Sequence, residues 1–263
     1  MSASGDQPGP ERSVPRPPGT PEALTWRELD SADLEAVSAL HRLSIQGVGP
    51  EVVKREQTRF FESLLAGRGW ITGVFEGSEL VAYGVLQQDL LPEDDPREHL
   101  GLPADVIVRK LAGAAVAPRW RGVHLQRALV EHRLRLAGAD AVAIGTAAPG
   151  NPASWRTATS CAMAVRALEL RYGGHPRYLM ARVPALLDDP ASPDTAEIEV
   201  PALDLARLGS LLSEGWRGLG PGSVSESGAT LRMRLHPRAA SHAAAPAPAP
   251  SSTGVHPPGR TAG

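Results

Sequence analysis

The feature that most constrains the fold is the run Ala115-Val116-Ala117-Pro118-Arg119-Trp120-Arg121-Gly122-Val123-His124-Leu125-Gln126-Arg127-Ala128-Leu129. Residues Val106 to Val116 read as a strand, and Pro118 ends it because proline cannot donate to a ladder. An Arg-flanked glycine follows, then Leu125, Ala128, Leu129 and Leu136 at helical spacing, which predicts a helix over 121–137. A helix N-terminus offers unpaired backbone N–H groups and a partial positive charge, enough to hold an anion without lysines. Gly122 leaves room for an anion against the backbone, and Arg119 and Arg121 add charge-assisted bonds to phosphate oxygens. The same spacing suits an ordinary turn with solvated arginines. Neither GxxxxGK[ST] nor GxGxxG occurs in the chain.

The elements around this junction set its context. Leu24 to Glu28 alternates like a strand, and Asp30 or Ser31 caps a helix after it. Pro50 opens a second helix through about Leu65, which Gly67 and Gly69 end. Residues 70–75 and 80–86 flank Glu76-Gly77-Ser78-Glu79 as a hairpin. Residues 89–105, with three prolines and several acids, read as a long exposed connection. Beyond the predicted helix come a strand over 141–146, a helix started by Asn151-Pro152-Ala153-Ser154, and two closing strands over 163–170 and 176–183. A last unit from Ile198 to Leu235 reads as strand, helix over 202–214, Gly-rich turn and strand.

Composition removes several function classes. A net charge of −2 over 263 residues gives no broad basic footprint for nucleic acid. A single cysteine, Cys161, excludes an intramolecular disulfide and a CxxC metal motif, so no metal is expected. No run approaches the roughly 20 apolar residues of a membrane span, and the N-terminus lacks a signal-like apolar core, so a cytoplasmic protein is expected. Residues 1–22 and the tail from His236 are rich in Pro, Ala, Gly and Ser and read as disordered. Arginine far outnumbers lysine, which occurs only as Lys54 and Lys110, and this suggests a GC-rich, bacterial genome.

With these elements placed, VAPRWRGVHLQRAL resembles the acyl-CoA pyrophosphate motif of the GNAT N-acetyltransferase superfamily: Val-x-Pro, then Arg/Gln-x-x-Gly-x-Gly/Ala, then an apolar helix. Val116, Pro118, Arg119 and Gly122 match it, and His124 stands where Gly or Ala is usual. NPASWRTATSCAM resembles the second motif, Asn-x-x-Ala/Ser-x-x-x-Tyr-x-x-x-Gly-Phe. Asn151 and Ser154 match, whereas Ala158, Ala162 and Met163 replace Tyr, Gly and Phe. RYGGHPRYLM is similar to a Tyr-Gly-Gly-x-x-Arg-Tyr run that joins the closing strands in one GNAT subgroup. The resemblance covers about residues 24–183.

The resemblance implies an α+β, three-layer α/β/α fold around a mixed, largely antiparallel sheet with a splayed strand pair. It places a GNAT-like domain at 23–185 and a β-α-β extension at 186–235, between disordered tails at 1–22 and 236–263. It implies that Ala114, Ala115 and Val116 pair with pantetheine and that the N–H groups from Arg121 through Gly122, Val123, His124 and Leu125 to Gln126 face the pyrophosphate. Asn151 touches the pantetheine side, with Ser154 beside it. The cofactor is then acetyl-CoA, and the acceptor an amine of a small molecule, amino acid or peptide.

Catalysis of this kind is positioning of an amine against a thioester, with a strand N–H polarising the carbonyl and an acid and base moving protons. Ala158 leaves the usual acid position without a donor. Tyr172 or Tyr178 can substitute, or else pack at strand ends, and Cys161 is either an acid or nucleophile or a small buried residue. Asp89, Glu93, Asp94 and Asp95 either attract a cationic amine or form a solvated loop. His124 either turns from the ligand, touches a phosphate or weakens CoA binding, and Trp120 is a rim residue or stacks near adenine. The rival reading is a non-catalytic GNAT-like binding module with a degenerate site, in which the C-terminal unit serves as a lid or in a homodimer.

Overall fold

The computed structural model describes residues 13–188, 197–226 and 228–236. The expected tails therefore lie, at residues 1–12 and 237–263, outside the described residues, as does 189–196 of the expected extension. Residues 13–22, assigned above to the N-terminal tail, hold contacts of their own. Val14 N–H donates to Trp26 O at 2.9 Å, Ser13 bridges Arg27, and Thr20 is buried.

Strand β1, Leu24–Glu28, turns its alternate residues Leu24 and Trp26 into the core. Asp30 then starts the next helix with a reciprocal cap: its carboxylate accepts from Ala32 N–H at 2.8 Å while Asp33 accepts from Asp30 N–H at 3.0 Å. Helix α1, Leu34–Ser44, buries Val37, Leu40 and His41. The hairpin falls where the turn signal puts it, with β2 at Gly69–Glu76, β3 at Glu79–Gln87 and Gly77 at φ 58° between them.

Among the described residues ten strands form one sheet. The others are β4 Val108–Val116, β5 Val142–Ala147, β6 Ala164–Arg171, β7 His175–Arg182, β8 Ile198–Pro201, β9 Trp216–Ser225 and β10 Gly228–Leu235. Their order is β1-β2-β3-β4-β5-β7-β6-β9-β10-β8, and every adjacent pair is antiparallel except β4–β5. Helix α4, Leu125–Ala137, crosses from β4 to β5, as a parallel connection requires. Tyr83 and Gly84 are consecutive on β3, so they point to opposite faces. Tyr83 meets His41 of α1, and Gly84 lies against Arg133 of α4. Helices α1 and α4 therefore cover opposite faces, and the expected three-layer α+β architecture is present.

Several expected boundaries moved, each for a tertiary reason. The helix from Pro50 is only α2, Thr58–Ser63, followed by a π-turn over Leu64–Arg68. Residues 50–56 are instead held by their backbone, since Arg177 takes Pro50 O and Glu51 O and His41 takes Glu56 N–H. The connection 89–105 contains a short helix α3, Arg97–Leu100, and buries Asp94 rather than leaving it solvated.

The helix predicted over 121–137 begins four residues later, because His124 takes a left-handed conformation with φ 62°. Asn151 caps α5, Pro152–Ser160, as read. The Gly-rich stretch after α6, Leu205–Ser213, is not a turn but the strand β9. Gly218 has Leu231 of β10 packed where its Cβ would be, at 2.6 Å, so the glycine is there for close approach. Among the described residues no helix is long and apolar enough to cross a membrane.

Candidate functional site

Strands β4 and β5 pair only from Val108↔Val142 to Leu111↔Gly145, then separate. On its other edge β4 stays paired with β3 through Ala82↔Val116, with a bulge at Ala112 between Gly113 and Leu111. Gly113 takes φ 153°, a value that suits glycine beside the bulge. Ala117 donates its N–H to Val81 O at 2.8 Å. Backbone N–H groups alternate between strand edges, so those of Ala114 and Val116 point to the side β5 has left, while Ala115 faces β3. The exposure of Ala114, in a central strand, fits this gap.

The chain leaves the gap through a single turn, Pro118–Trp120, and enters α4 through Gly122 at φ 83° and His124 at φ 62°. The first bond into the helix is Ala128 N–H to His124 O at 3.0 Å. Ahead of it, the N–H groups from Gly122 to Arg127 have no acceptor among the described residues. Six N–H groups without acceptors thus lie at a helix start on an exposed loop, a place whose dipole favours an anion.

The two arginines of the loop are turned elsewhere. Arg119 sits between Glu76 and Glu79 of the hairpin, at 2.9 and 2.8 Å, and Arg121 reaches Ser44 O at the end of α1 at 3.3 Å. Asn151 uses its side-chain oxygen to cap α5 through Ser154 N–H at 3.2 Å.

Across the gap, Tyr172 Oη lies 3.3 Å from Thr146 Oγ1, one residue beyond the last β4–β5 pair. The Tyr172 ring carries the Lys54 ammonium at 4.9 Å and the Arg177 guanidinium at 5.7 Å. Arg177 also ties down the α1–α2 connection, donating to Glu51 O at 2.6 Å and Pro50 O at 2.9 Å. His41 holds the same connection from below. It accepts Glu56 N–H at Nε2, which leaves the proton on Nδ1 for Tyr83 Oη at 2.9 Å.

Other candidates belong to the framework. Tyr178 is fully buried and donates to Ala202 O at 2.7 Å, so it packs rather than faces the gap. Cys161 follows α5 against the core, and burial, with Glu131 nearby, pushes its thiol up to about 11, which keeps it protonated and a poor nucleophile. Asp94 is buried between Lys110 and Arg171, the latter at 3.0 Å, and Asp89 pairs with Arg68 at 2.9 Å. Ala158 is buried and offers no donor. Among the described residues no group of three or more His, Cys, Asp or Glu is placed to hold a metal.

Sequence reasoning missed Thr146, Lys54, Arg177 and Arg133. The first three are brought together only by the closing strands. Arg133 did carry a signal, since it stands four residues after Leu129 and eight after Leu125, on the apolar side of its helix.

A mixed, largely antiparallel sheet with helices on both faces is the fold seen in GNAT N-acetyltransferases. A solved structure that bears this out is the ribosomal-protein-S5-alanine acetyltransferase of Vibrio fischeri, with a TM-score of 0.50 over 67% of this chain and 98% of that one, at 11% identity. A GNAT-family acetyltransferase of Streptococcus pneumoniae matches at 0.48, over 62% and 99%, with 15% identity. Arabidopsis thaliana NAA60 in complex with a bisubstrate analogue matches at 0.49, over 62% and 98%, with 15% identity. At 11% identity the likeness to the Vibrio fischeri structure speaks for the fold alone. No protein-family model and no curated protein matches the sequence.

Proposed function

We propose that this chain is an acyl-CoA-dependent N-acyltransferase that moves acetyl from acetyl-CoA to an amine of a small molecule, amino acid or peptide. The observation that carries the reading is the parting of β4 and β5 after Leu111↔Gly145, with unpaired N–H groups on both the strand edge and the loop beyond it. An extended pantetheine arm fits beside Ala114 and Val116 as an added strand would, and the pyrophosphate fits the N–H groups from Gly122 to Gln126. The Tyr172 hydroxyl, 3.3 Å from Thr146 Oγ1 on β5, supplies the acid for the leaving thiolate. Arg121 stays beside the loop, whereas Arg119 is neutralised by Glu76 and Glu79, and Asn151 and Ser154 line the β5 side.

The name of the Vibrio fischeri protein, ribosomal-protein-S5-alanine acetyltransferase, puts a peptide α-amine among the acceptors to try first. The test is release of free CoA thiol from acetyl-CoA across a panel of small amines, amino acids and peptides. Thiol release above the uncatalysed rate with at least one amine supports the enzyme. Tight acetyl-CoA binding with no release across the panel supports the rival, a binding module, which the buried, donor-free Ala158 favours.

A further inference from the structure

Arg133 is 3% exposed and, among the described residues, makes no ion pair. Burying a guanidinium without a carboxylate is costly, and here three backbone carbonyls accept its hydrogen bonds. Nε donates to Leu129 O one turn back at 2.9 Å, and Nη1 donates to Val85 O at 3.1 Å and Gly113 O at 2.9 Å. Val85 and Gly113 are register partners at the bulge. Room for the side chain comes from Gly84, where a Cβ would stand 2.8 Å from Nε.

Gly113 O and Ala114 N–H belong to one peptide unit. A cationic donor on that oxygen draws density from the amide nitrogen and makes the N–H a stronger donor. The Ala114 N–H is also one of the two that face the parted strands. Resting on the acyltransferase reading above, we propose that Arg133 is a positioning residue that fixes and polarises the Gly113–Ala114 peptide, so that Ala114 N–H binds the thioester carbonyl oxygen. Burial lowers the guanidinium to about 10, which leaves it charged at neutral pH.

In the step it serves, the amine nitrogen forms a bond to the thioester carbon and the carbonyl pair moves to oxygen, where Ala114 N–H meets the new charge. The pair then returns, the C–S bond breaks, the thiolate leaves with the electrons and is protonated, and the amine proton passes to base.

The test compares wild type, Arg133→Lys, Arg133→Gln and Gly84→Ala. It measures acetyl-CoA affinity by calorimetry, kcat with the best amine of the panel, and the Ala114 amide proton resonance. Arg133→Gln is expected to keep acetyl-CoA affinity within about threefold while kcat falls about tenfold or more, with the Ala114 proton moving upfield. Arg133→Lys, which keeps the charge, is expected to recover part of kcat. An unchanged kcat in folded Arg133→Gln, or a fall that only follows affinity, overturns the proposal. If Arg133→Gln does not fold, Gly84→Ala carries the test, because its methyl displaces the guanidinium, and the same split is expected or the proposal fails. If wild type binds no acetyl-CoA the acyltransferase reading is lost, and an unmoved Ala114 proton would separately refute the role of Arg133.

Discussion

Tyr172 Oη stands 3.3 Å from Thr146 Oγ1, joining the turn between β6 and β7 to the strand that parts from β4. No other aromatic hydroxyl of the chain has this placement, since Tyr83 and Tyr178 are buried and bonded to His41 and Ala202. Tyr172→Phe is expected to lower kcat about 100-fold with acetyl-CoA affinity unchanged, in line with the loss of a general acid. Steady-state kinetics beside calorimetry checks this. An unaltered kcat assigns Tyr172 to packing.

His124 and Ala162 stand where the GNAT motifs carry Gly or Ala and Gly, and both adopt left-handed backbone, at φ 62° and 61°. At Ala162, where the motif carries Gly alone, the pattern thus has a conformational reason, because a Cβ is strained there and glycine is not. His124→Gly and Ala162→Gly are each expected to raise stability by about 0.5–1 kcal/mol, measured by urea titration. Equal or lower stability in both would show that the strain is absent.

His132 lies on α4 against the Trp26 ring, with Nε2 unpartnered among the described residues, and burial lowers it to about 4. An unfolded histidine titrates near 6.5, so between these values the unfolded chain binds a proton that the folded chain does not. Its neutral burial therefore costs nothing above about pH 6.5, and stability falls as pH drops toward 4. Unfolding free energies from urea titration at pH 7 and pH 5 are expected to differ by about 2 kcal/mol more in wild type than in His132→Leu. Parallel pH curves for the two proteins would contradict the assignment.

Lys110 and Asp94 form a buried pair, and Asp94 also holds Arg171 at 3.0 Å. Removing the carboxylate strands a buried ammonium, whereas removing the ammonium leaves Asp94 still paired. Asp94→Ala is expected to cost about 3–5 kcal/mol and Lys110→Met less, both by denaturant unfolding. The reverse order would mean that Arg171 does not share the carboxylate.

Much of the frame could be read from the chain. The hairpin carried its turn residues at Gly77-Ser78, and the strand, proline and glycine of residues 106–122 announced a junction whose loop the fold then places at a helix start. What could not be read depends on partners far away in sequence. Nothing local says that β4 and β5 stop pairing after four residues, where β4 carries the bulge at Ala112 on its other edge. Arg119 looked like a phosphate ligand because its acids, Glu76 and Glu79, lie some forty residues earlier. Residues 50–57 had helical spacing, yet Arg177 and His41 hold their backbone out of a helix. The substitutions at Ala158 and Met163 were visible, but their placement in the core was not.

The central claim is that the N–H groups between Gly122 and Gln126 hold the pyrophosphate of acetyl-CoA. Gly122 has φ 83° and open space where a Cβ would be, so Gly122→Glu puts a strained backbone and a negative charge on the loop without a clash in the core. Calorimetric titration of both proteins with acetyl-CoA is the direct measurement. One site per wild-type chain is expected, with affinity at least about 100-fold weaker in Gly122→Glu. Absence of binding by wild type, or equal binding by the two, would contradict it.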